Sequence, residues 1–426
     1  MIPKQLLIQI ILDQQNIRLK DEVARDIQPQ WLESEEIVVV SGVRRCGKSV
    51  LIQQMRKRMK EQDFFLNFDD DRLIKFTIED FQLLQECLIE LFGVQHTYYF
   101  DEIQNIKGWE LFVRRLYNSS NKIFITGSNA NMLSRELGTH LTGRYIAIEL
   151  YPFSFKEFLT YNKIEHSTKT IATTVGTATM LAQFKRYMKQ GGFPAFLRNQ
   201  TREYISGIYE SIIYRDVLLR NGITNEREVL ELMHYLASNA AKRHTYSSLG
   251  KVVGLKHPET IKNYLNAISD TYLIFQLTKY APSVKTQSAS AKKIYLIDNA
   301  IISTIGFNPT DNIGILLENL VFIELKRRQL DVYYYANKGE CDFVVRRGVT
   351  LTEAYQVTMS ISEEKTKQRE MKGLIEVAKA EHTSKNYILT MDEECTITEE
   401  GLTIEVKPIW KWLLDQPSIN QTYTQP

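Results

Sequence analysis

The sequence predicts an α/β protein: a parallel sheet with helices on both faces, then a helical region, then a second and smaller α/β unit. Runs of β-branched and aromatic residues alternate with helical patterns between residues 36 and 128, which is typical of a parallel sheet. The runs are continuously apolar, as expected for strands buried on both faces. Polar residues follow the strand ends, where open α/β sheets bind their ligands.

The composition is that of an ordinary folded protein. The chain has 426 residues, of which 43% are hydrophobic, and 53 lysines and arginines stand against 51 aspartates and glutamates, for a formal net charge of +2. At roughly 150 residues per domain, this length predicts two to four domains. Disordered, collagen-like and low-complexity classes are excluded. The balanced charge is no signature of a nucleic-acid-binding protein, but a local basic face stays open because net charge averages over domains.

Cysteine usage and apolar runs indicate a reducing compartment and no membrane. The four cysteines (Cys46, Cys87, Cys341 and Cys395) are scattered and form no C-x-x-C pair, which argues against a zinc ribbon and a disulfide framework. The N-terminal segment lacks the features of a signal peptide, and no stretch reaches the roughly 18 apolar residues of a transmembrane helix. We expect a cytoplasmic protein with no membrane partner.

The elements of the first region follow in a regular order. The first strand, Glu36–Ser41, ends at Gly42, and a helix begins at Ser49. The elements that follow are strand Phe64–Phe68, helix Ile78–Leu91, strand Thr97–Phe100, helix Trp109–Asn118 and strand Lys122–Thr126. This alternation predicts βαβ units in one parallel sheet.

A phosphate-binding loop joins the first strand to the first helix of this sheet. The segment Gly42-Val43-Arg44-Arg45-Cys46-Gly47-Lys48-Ser49 fits the pattern G-x-x-x-x-G-K-[ST]. Its glycines let backbone N–H groups point at phosphate oxygens, and the helix presents its positive N-terminal end. Lys48 is expected to reach the β- and γ-phosphates, and Ser49 to offer a hydroxyl to Mg²⁺. For Arg44 and Arg45, solvated side chains and ligand contacts remain alternatives. ATP and Mg²⁺ are therefore the expected ligands of residues 42–49.

Two acidic residues, Asp101 and Glu102, end the third strand. Asp101 is expected to hold Mg²⁺ through water, and Glu102 to polarise the attacking water. The pattern alone is weak, since many strands end in acids, but it becomes specific about 50 residues after a phosphate-binding loop.

Three further polar residues are candidates for contact with the γ-phosphate. Ser128 and Asn129 end the fourth strand, where a polar side chain can sense this phosphate; ordinary turn residues are the alternative. Arg144, which follows Gly143, is a candidate for an arginine that stabilises the transition state on a neighbouring subunit. A surface arginine is the alternative.

The second half of the chain begins with helices. Residues 155–221 have a helical pattern, broken at Gly191-Gly192-Phe193-Pro194. A helix–turn–helix with a β-wing follows. Its predicted elements are helices Glu228–Asn239, Ser247–Val253 and Pro258–Asp270, and strands Tyr272–Leu277 and Lys293–Ile297, with a polar stretch Ser283–Lys292 between the strands.

The last part predicts the second α/β unit. Its predicted elements are helix Gly314–Arg328, strands Val332–Ala336, Glu340–Arg346 and Glu353–Val357, helix Glu363–Lys379 and strand Asn386–Thr390. The middle of this unit has the character of a β-hairpin.

With these motifs, the chain resembles the prokaryotic AAA-type (STAND-like) P-loop ATPases that carry a C-terminal domain of unknown function. The matching stretches are GVRRCGKS at 42–49, YYFDEIQ at 98–104, FITGSNA at 124–130, LTGRYIAIELYPFSFKEFL at 141–159, GGFP at 191–194, YRDVLLR at 214–220, LLENLVFIELKRR at 316–328 and GECDFVV at 339–345. They cover nearly the whole chain and are specific in combination.

The resemblance implies a P-loop NTPase parallel sheet with a helical lid, then a winged helix-turn-helix, then a smaller α/β domain with a restriction-endonuclease-like fold. The implied domains are an ATPase core (1–160), a helical lid (161–224), a winged helix (225–298), an endonuclease-like domain (299–416) and a flexible tail (417–426). The resemblance also implies a nucleotide-facing role for Gly192 and Pro194, with a plain helix-breaking turn as the alternative.

An endonuclease-like fold of this type needs carboxylates at the end of a sheet. Glu318 fits the helix acid of the implied pattern and Asp342 fits its aspartate, with Glu340 two residues earlier on the same strand face. Gln356 stands where the pattern has a glutamate, and an amide oxygen is a weaker ligand than a carboxylate for a hard cation.

The same pattern needs a lysine, and Thr358 stands in its place. Lys365 or Lys367, on the following helix, could supply the charge instead. Because electrostatic stabilisation of the transition state is usually the largest catalytic term, we expect a degenerate site without nuclease activity. An active nuclease is the alternative.

The predicted winged helix carries basic residues that could contact DNA phosphates. They are Lys256, His257, Lys262, Lys285, Lys292 and Lys293, with Asn263 on the same predicted helix as Lys262. That helix also has a core stripe, Ile261, Leu265 and Ile268. A solvated basic face is the alternative to DNA binding.

The sequence as a whole predicts an ATP-binding, Mg²⁺-dependent ATP-hydrolysing switch protein whose nucleotide state moves the winged helix and the C-terminal domain. One alternative is an ATP-dependent DNA-processing nuclease. The other is a nucleotide-gated module that binds DNA or protein with little turnover. Beyond ATP, the candidate partners are DNA, another protein and a second copy of this chain.

Overall fold

The computed structural model describes residues 1–15, 23–129, 141–307 and 313–415, and the chain divides into two compact units. Unit 1 comprises Met1–Tyr151 together with Asp270–Tyr272, and unit 2 comprises Pro152–Ser269 and Leu273–Pro426. The domain boundaries at residues 160, 224 and 298 stay predictions, and the tail 417–426 lies outside the described residues.

Unit 1 is built on a five-stranded parallel sheet with the order β2-β3-β4-β1-β5. Its strands are β1 (Ile37–Ser41), β2 (Phe64–Asn67), β3 (Thr97–Asp101), β4 (Lys122–Gly127) and β5 (Tyr145–Glu149). The predicted parallel sheet is confirmed. The edge strand β5 is not among the predicted strands, because its residues contribute to the sequence analysis only as part of the matching stretch at 141–159.

Helices cover both faces of this sheet. They are α1 (Lys4–Gln15), α2 (Pro29–Glu33), α3 (Lys48–Arg58), α4 (Phe81–Phe92) and α5 (Trp109–Asn118). Successive side chains of a strand point to opposite faces. Ile37 and Val39 of β1 accordingly lie in the core that includes residues of α1, α4 and α5, and Val38 lies in the core that includes residues of α3. The apolar run of β1 is explained by burial on both faces.

Unit 2 begins with helices. They are α6 (Phe155–Tyr161), α7 (Thr168–Ile171), α8 (Thr174–Gln190), α9 (Pro194–Asn199), α10 (Arg202–Ser211) and a π-helix (Ile212–Leu219). The break after α8 has a packing reason. The N–H of Gly192 donates to Asp298 Oδ2 (2.7 Å), its carbonyl accepts from the N–H of Phe153 (2.7 Å), and a Cβ there would lie 2.1 Å from the carbonyl oxygen of Phe153.

Three helices and a small sheet follow. The helices are α11 (Glu226–Ser238), α12 (Tyr246–Val252) and α13 (Pro258–Ser269); the antiparallel strands are β6 (Arg243–His244), β7 (Ile274–Leu277) and β8 (Lys292–Leu296), in the order β6-β8-β7. Helix α14 (Val284–Ala289) lies in the predicted polar stretch, and α15 (Asn299–Ile305) follows the sheet. The assignment of this segment as a winged helix stays a prediction.

The last part of unit 2 contains a six-stranded mixed sheet with the order β13-β14-β12-β11-β10-β9. The strands are β9 (Asp331–Ala336), β10 (Glu340–Arg347), β11 (Thr350–Val357), β12 (Lys385–Thr390), β13 (Cys395–Glu399) and β14 (Leu402–Pro408); the helices are α16 (Ile313–Arg327), α17 (Glu364–Glu381) and α18 (Ile409–Leu414). The elements after residue 390 are additions to the prediction. The endonuclease-like assignment stays a prediction.

Within the described part of the chain, no helix combines the length and the apolarity that crossing a bilayer requires.

Candidate functional site

The loop between β1 and α3 is shaped by two glycines. Gly42 has a φ of +151° and Gly47 a φ of +105°, both in the region that favours glycine. A Cβ on Gly42 would lie 2.2 Å from the carbonyl oxygen of Leu150, so only glycine fits where the chain leaves the sheet. Val43 and Cys46 are fully buried, and burial raises the pKa of the Cys46 thiol. Their side chains anchor the loop, which leaves their backbone as the part that can meet a ligand.

Lys48 is the first residue of α3, and its side chain is folded back into the loop. Its ammonium donates to the carbonyl oxygens of Gly42 (3.1 Å) and Val43 (3.3 Å) and lies 3.4 Å from Glu102 Oε1. Although burial opposes the charge, Glu102 and other acidic neighbours hold the pKa of Lys48 above its ordinary value. The lysine is therefore charged at neutral pH and lies inside the loop.

Asp101 ends β3 beside Ser49. It is 1% exposed, it accepts a hydrogen bond from Thr126 Oγ1, and its carboxylate is hydrogen-bonded to the Ser49 hydroxyl. Burial, followed by the charge of Glu102, raises the pKa of Asp101 to about 6. The structure thus brings together the two predicted magnesium ligands, Ser49 and Asp101, and Thr126 fixes the carboxylate.

Glu102 follows in a left-handed backbone conformation, with a φ of +52°, and its N–H donates to Thr126 Oγ1 (2.9 Å). Its carboxylate faces Lys48 and accepts a hydrogen bond from Gln104 Nε2 (2.5 Å). Although burial favours the protonated acid, Lys48, Gln104 and Arg44 hold the pKa of Glu102 below its ordinary value. Glu102 is therefore ionised beside the loop, as a group that polarises water must be.

Gln104 is not among the predicted site residues, although it ends the YYFDEIQ motif. Its Nε2 also lies 3.5 Å from Ser128 Oγ, while its Oε1 is buried and has no hydrogen-bond partner in the described residues. A buried acceptor left unsatisfied costs about 1–3 kcal/mol. An unsatisfied acceptor beside Glu102 and Ser128 fits a site that receives water or a ligand.

The structure separates the predicted γ-phosphate sensors, Ser128 and Asn129, from Arg144. Ser128 and Asn129 are 2% and 5% exposed, and Ser128 joins the acidic pair through Gln104. Arg144 lies elsewhere: its carbonyl accepts the N–H of Ile37, at the start of β1, whereas the loop follows the end of that strand. Its guanidinium lies 3.3 Å from Asn118 Oδ1. Within one chain, Arg144 is at the opposite end of the sheet from the loop, so its role in a neighbouring subunit stays a prediction.

Two buried residues distant in sequence support the loop, and no sequence pattern predicts either of them. Arg25, between α1 and α2, is 6% exposed and donates from Nη2 to the carbonyl oxygen of Cys46 (2.6 Å). Tyr272 donates from its hydroxyl to Ser41 Oγ (2.7 Å) across 231 positions. Neither belongs to a motif, and only the folded chain brings them to the loop.

The residues present fit a nucleotide with Mg²⁺. Ser49 and Asp101 provide a hydroxyl and a carboxylate, the hard oxygen ligands that this cation prefers. The glycine loop at the N-terminus of α3 and the charged Lys48 suit phosphate oxygens. The unsatisfied carbonyl of Gln104 is a further acceptor at the same place.

The predicted C-terminal site also converges, but on a lysine. The ammonium of Lys293, on β8, lies 3.0 Å from Glu318 Oε1, 3.2 Å from Glu340 Oε1 and 2.9 Å from Asp342 Oδ1. Tyr295 donates to the same oxygen of Glu318 (2.7 Å). Although burial opposes the charge, Asp342 and the other acidic neighbours hold the pKa of Lys293 well above its ordinary value.

Gln356 completes this cluster. Its Oε1 accepts the N–H of Asp342 (3.1 Å), and its Nε2 donates to Glu370 (2.5 Å). Among the described residues, no group of three or more histidine, cysteine, aspartate or glutamate side chains is arranged to hold a metal ion. The positive charge beside these carboxylates is therefore that of Lys293.

This arrangement corrects one expectation and adds a lysine to the predicted C-terminal site. Lys293 was interpreted as a basic wing residue available to DNA, but it is 3% exposed, because the alternation along β8 turns Lys293 and Tyr295 toward α16 and β10. Lys365 and Lys367 are open alternatives for the lysine of the pattern; in the structure the ammonium beside Glu318 and Asp342 is that of Lys293, on β8. Thr358 is buried, and its hydroxyl lies 3.4 Å from the carbonyl oxygen of Ser360.

The other basic residues of the predicted winged helix are more accessible. Lys256, His257 and Lys285 are exposed, Lys262 lies 3.2 Å from Glu259, and Lys292 lies 5.6 Å from the ring of Tyr246. On α13, the predicted core stripe of Ile261, Leu265 and Ile268 is buried.

Comparison with protein families gives two matches. The model of the AAA domain matches residues 34–159, which contain the loop and both acids of β3. The model of a domain of unknown function (DUF8612) matches residues 181–311. The first region of the chain is therefore an AAA domain.

Two curated relatives match over much of the chain. The "Uncharacterized protein MJ1544" of Methanocaldococcus jannaschii is 34% identical, over 97% of this chain and 96% of that protein. An "Uncharacterized protein" of Haemophilus influenzae is 32% identical, over 75% of this chain and 81% of that protein.

Solved structures are more distant. The RuvB Holliday junction branch migration motor of Thermotoga maritima is 12% identical, covers 59% of this chain and 86% of its own, and has a TM-score of 0.28. The ORC2 protein of Aeropyrum pernix in its ADP form is 12% identical, covers 76% and 96%, and has a TM-score of 0.33. TM-scores this low support no conclusion, so the family match carries the assignment.

Proposed function

Because the chain belongs to the family of the Methanocaldococcus jannaschii protein MJ1544 and has an AAA domain at residues 34–159, we propose that it binds ATP with Mg²⁺ and hydrolyses it. The observation that carries this proposal is the convergence of Lys48, Ser49, Asp101 and Glu102 at one loop. Arg44 lies close enough to Glu102 to lower its pKa, and we include it among the nucleotide-facing residues. The exposed Arg45 is a weaker candidate.

Binding would begin with Lys48. Its ammonium is held by two carbonyl oxygens of the loop and by Glu102, and phosphate oxygens would replace the carbonyls as stronger, charged acceptors. The N–H groups of residues 42–49 and the start of α3 would face the same phosphates. Ser49 and Asp101 would hold Mg²⁺, which supplies charge neutralisation on the transferred phosphoryl group.

Hydrolysis would depend on Glu102. Its ionised carboxylate is a base for the proton of an attacking water, and Gln104 holds one of its oxygens. The free carbonyl oxygen of Gln104 can accept a hydrogen bond from that water. Ser128, which touches Gln104, would then report the presence of the γ-phosphate.

We propose further that the nucleotide state acts as a switch on the rest of the chain. In this proposal residues 161–224 form a helical lid, residues 225–298 a winged helix, and residues 299–416 a smaller domain of endonuclease-like fold. Binding and hydrolysis would change the conformation of these regions. An arginine such as Arg144 could act on a neighbouring subunit, which would require an oligomer.

ATP binding and phosphate release by wild type and Lys48→Ala test the proposal. The variant is expected to lose binding or turnover by roughly 100-fold or more, because no other described side chain places an ammonium in the loop. Lys57→Ala, an exposed lysine on the same helix α3, is the matched control and should behave as wild type. Unchanged turnover in Lys48→Ala would refute the proposal.

A second candidate function is nucleotide-gated binding of DNA, favoured by the exposed Lys256, His257 and Lys285. Gel shifts with and without ATP, at several salt concentrations, test it, since phosphate contacts weaken steeply with salt. A nuclease is disfavoured by Gln356, an amide where the pattern has a glutamate, although Lys293 places an ammonium beside Glu318 and Asp342. Nicking of supercoiled DNA by wild type but not by Asp342→Ala would restore it.

A further inference from the structure

The first residue of the phosphate loop follows Ser41, and the hydroxyl of Ser41 is held from two sides. It accepts a hydrogen bond from the hydroxyl of Tyr272 (2.7 Å) and lies within donating distance of the carbonyl oxygen of Ile148 (3.4 Å). The carbonyl of Ser41 accepts the N–H of Leu150 (2.7 Å). The position from which the loop departs is thus fixed by β5 and by one tyrosine.

Tyr272 has an unusual backbone. Its φ of +63° is in the left-handed region, which an aromatic residue rarely adopts, and the side chain is 6% exposed. Burial raises the pKa of its hydroxyl, so the group remains a neutral donor at any physiological pH. Strained conformations of this kind persist where the surrounding structure holds them and are frequent at functional sites.

The position of Tyr272 in the sequence connects its contact with Ser41 to elements of unit 2. Only Asp270–Tyr272 belong to unit 1 in this part of the sequence, whereas the residues before and after them belong to unit 2. Helix α13 ends at Ser269, directly before this segment, and β7 begins at Ile274, two residues after Tyr272. A movement of Ser41 and Gly42 would therefore act on a residue covalently joined to α13 and β7.

We propose that Tyr272 is a positioning residue of the phosphate loop, and that it passes the nucleotide state of the loop to the chain that includes α13 and β7. This inference rests on the proposed function, since it needs ATP to bind at the loop. Tyr272 touches neither phosphate nor water in this role. It acts through Ser41, whose place determines where Gly42 begins the loop.

Tyr272→Phe removes the hydroxyl alone and tests the inference. The dissociation constant for Mg-ATP is expected to rise roughly five- to tenfold, the effect of one buried hydrogen bond. Ser41→Ala also removes the contact with Ile148 and should give at least as large a rise; the double variant should be no worse than Ser41→Ala alone, since both changes remove the bond between Tyr272 and Ser41. Tyr99→Phe is the matched control: this buried tyrosine of the same unit donates to the carbonyl oxygen of Glu61 (2.8 Å), and its loss should leave ATP affinity unchanged.

Amide hydrogen exchange distinguishes transmission of the nucleotide state from a purely structural role of Tyr272. In wild type, Mg-ATP should change the exchange of residues 258–277, and in Tyr272→Phe saturated with Mg-ATP this change should disappear. If wild type binds no ATP, the proposed function fails. If wild type binds ATP, and Tyr272→Phe has the same affinity and the same exchange response, this inference alone is overturned.

Discussion

Each compact unit of this chain contains a cluster of a buried lysine, neighbouring carboxylates and a glutamine. The two clusters differ in how many of their polar atoms have a hydrogen-bond or ion-pair partner within the cluster. In unit 1, Lys48 meets two backbone carbonyls and Glu102 at 3.4 Å, and the Gln104 carbonyl has no partner in the described residues. In unit 2, Lys293 lies between 2.9 and 3.2 Å from three carboxylates. Gln356 there uses both its oxygen and its nitrogen.

This difference distinguishes a site prepared for a ligand from a cluster that stabilises the fold. Backbone carbonyls are weak competitors for an ammonium, and charged phosphate oxygens can displace them. Three carboxylates around one ammonium leave it no unsatisfied charge for a phosphate, and removing that ammonium would leave uncompensated buried charge. We therefore expect changes in the first cluster to alter ATP turnover and changes in the second to alter stability.

Glu102→Gln should have the largest effect on ATP turnover. The amide keeps the shape of the side chain but cannot accept a proton, so ATP hydrolysis should fall by roughly 10²–10⁴-fold while ATP still binds. Single-turnover hydrolysis and equilibrium binding of Mg-ATP measure the two effects. Glu340→Gln, which changes the second cluster in the same way, is the control and should hydrolyse ATP at the wild-type rate. Normal hydrolysis by Glu102→Gln would assign water activation to another residue.

Lys293→Met should have the largest effect in the second cluster. Removal of one partner of a buried ion pair typically costs about 3–5 kcal/mol, because the carboxylates remain buried without their counter-ion. Chemical denaturation of wild type, Lys293→Met and the neighbouring half-buried Lys292→Met measures this loss, and Lys292→Met should lose much less. ATP affinity should stay within about twofold of wild type, and a large loss of affinity in Lys293→Met would contradict the division between the clusters.

The same contrast explains how far the sequence could lead. The loop 42–49 and the acids of β3 were predictable because they are local patterns: two glycines, a lysine and a serine at fixed spacing, and two acids at a strand end. The strand β5 was missed because its residues, Tyr145–Glu149, have the same apolar character as the motif around them and only the sheet reveals their pairing with β1.

The residues that support the loop, and the lysine of the second cluster, could not be predicted from the sequence for a different reason. Arg25, Tyr272 and Lys293 meet their partners only through the tertiary fold, at separations of 21, 231 and up to 49 positions. Lys293 was misinterpreted because basic residues near a turn are usually solvated. Residues two positions apart on a strand lie on the same face. The signal that could have indicated the burial of Lys293 is therefore its position two residues before Tyr295, which is buried.

The second cluster should also make stability depend on pH. Burial and the charge of Asp342 raise the pKa of Glu318 from 4.5 to about 7, so the folded state holds this proton more tightly than the unfolded chain does. The stability that it contributes is complete below about pH 4.5 and is lost as the pH rises through about 7. Glu318→Gln should therefore reduce the fall in unfolding free energy between pH 5 and pH 8 by about 1–3 kcal/mol.

Denaturation of both proteins at pH 5, 6, 7 and 8 tests this expectation. Glu364→Gln, an exposed glutamate on α17, is the control and should leave the pH dependence unchanged. A profile for Glu318→Gln parallel to that of wild type would show that the proton is held elsewhere in the cluster.

The two glutamines give the finest comparison. Gln104→Leu removes a hydrogen bond to Glu102 and the unsatisfied carbonyl oxygen, so the carboxylate loses its orientation while Lys48, Ser49 and Asp101 stay in place. Hydrolysis should fall about tenfold, equivalent to about 1.4 kcal/mol, with unchanged ATP affinity. Stability should change little, because one hydrogen bond is lost while one unsatisfied acceptor is removed. Gln356→Leu should do the reverse: it removes the acceptor of the Asp342 N–H and the donor to Glu370 Oε2, so stability should fall and hydrolysis should not. Equal effects of both variants on hydrolysis would mean that the two clusters act on one activity, and that the self-satisfied cluster of unit 2 is part of the catalytic cycle.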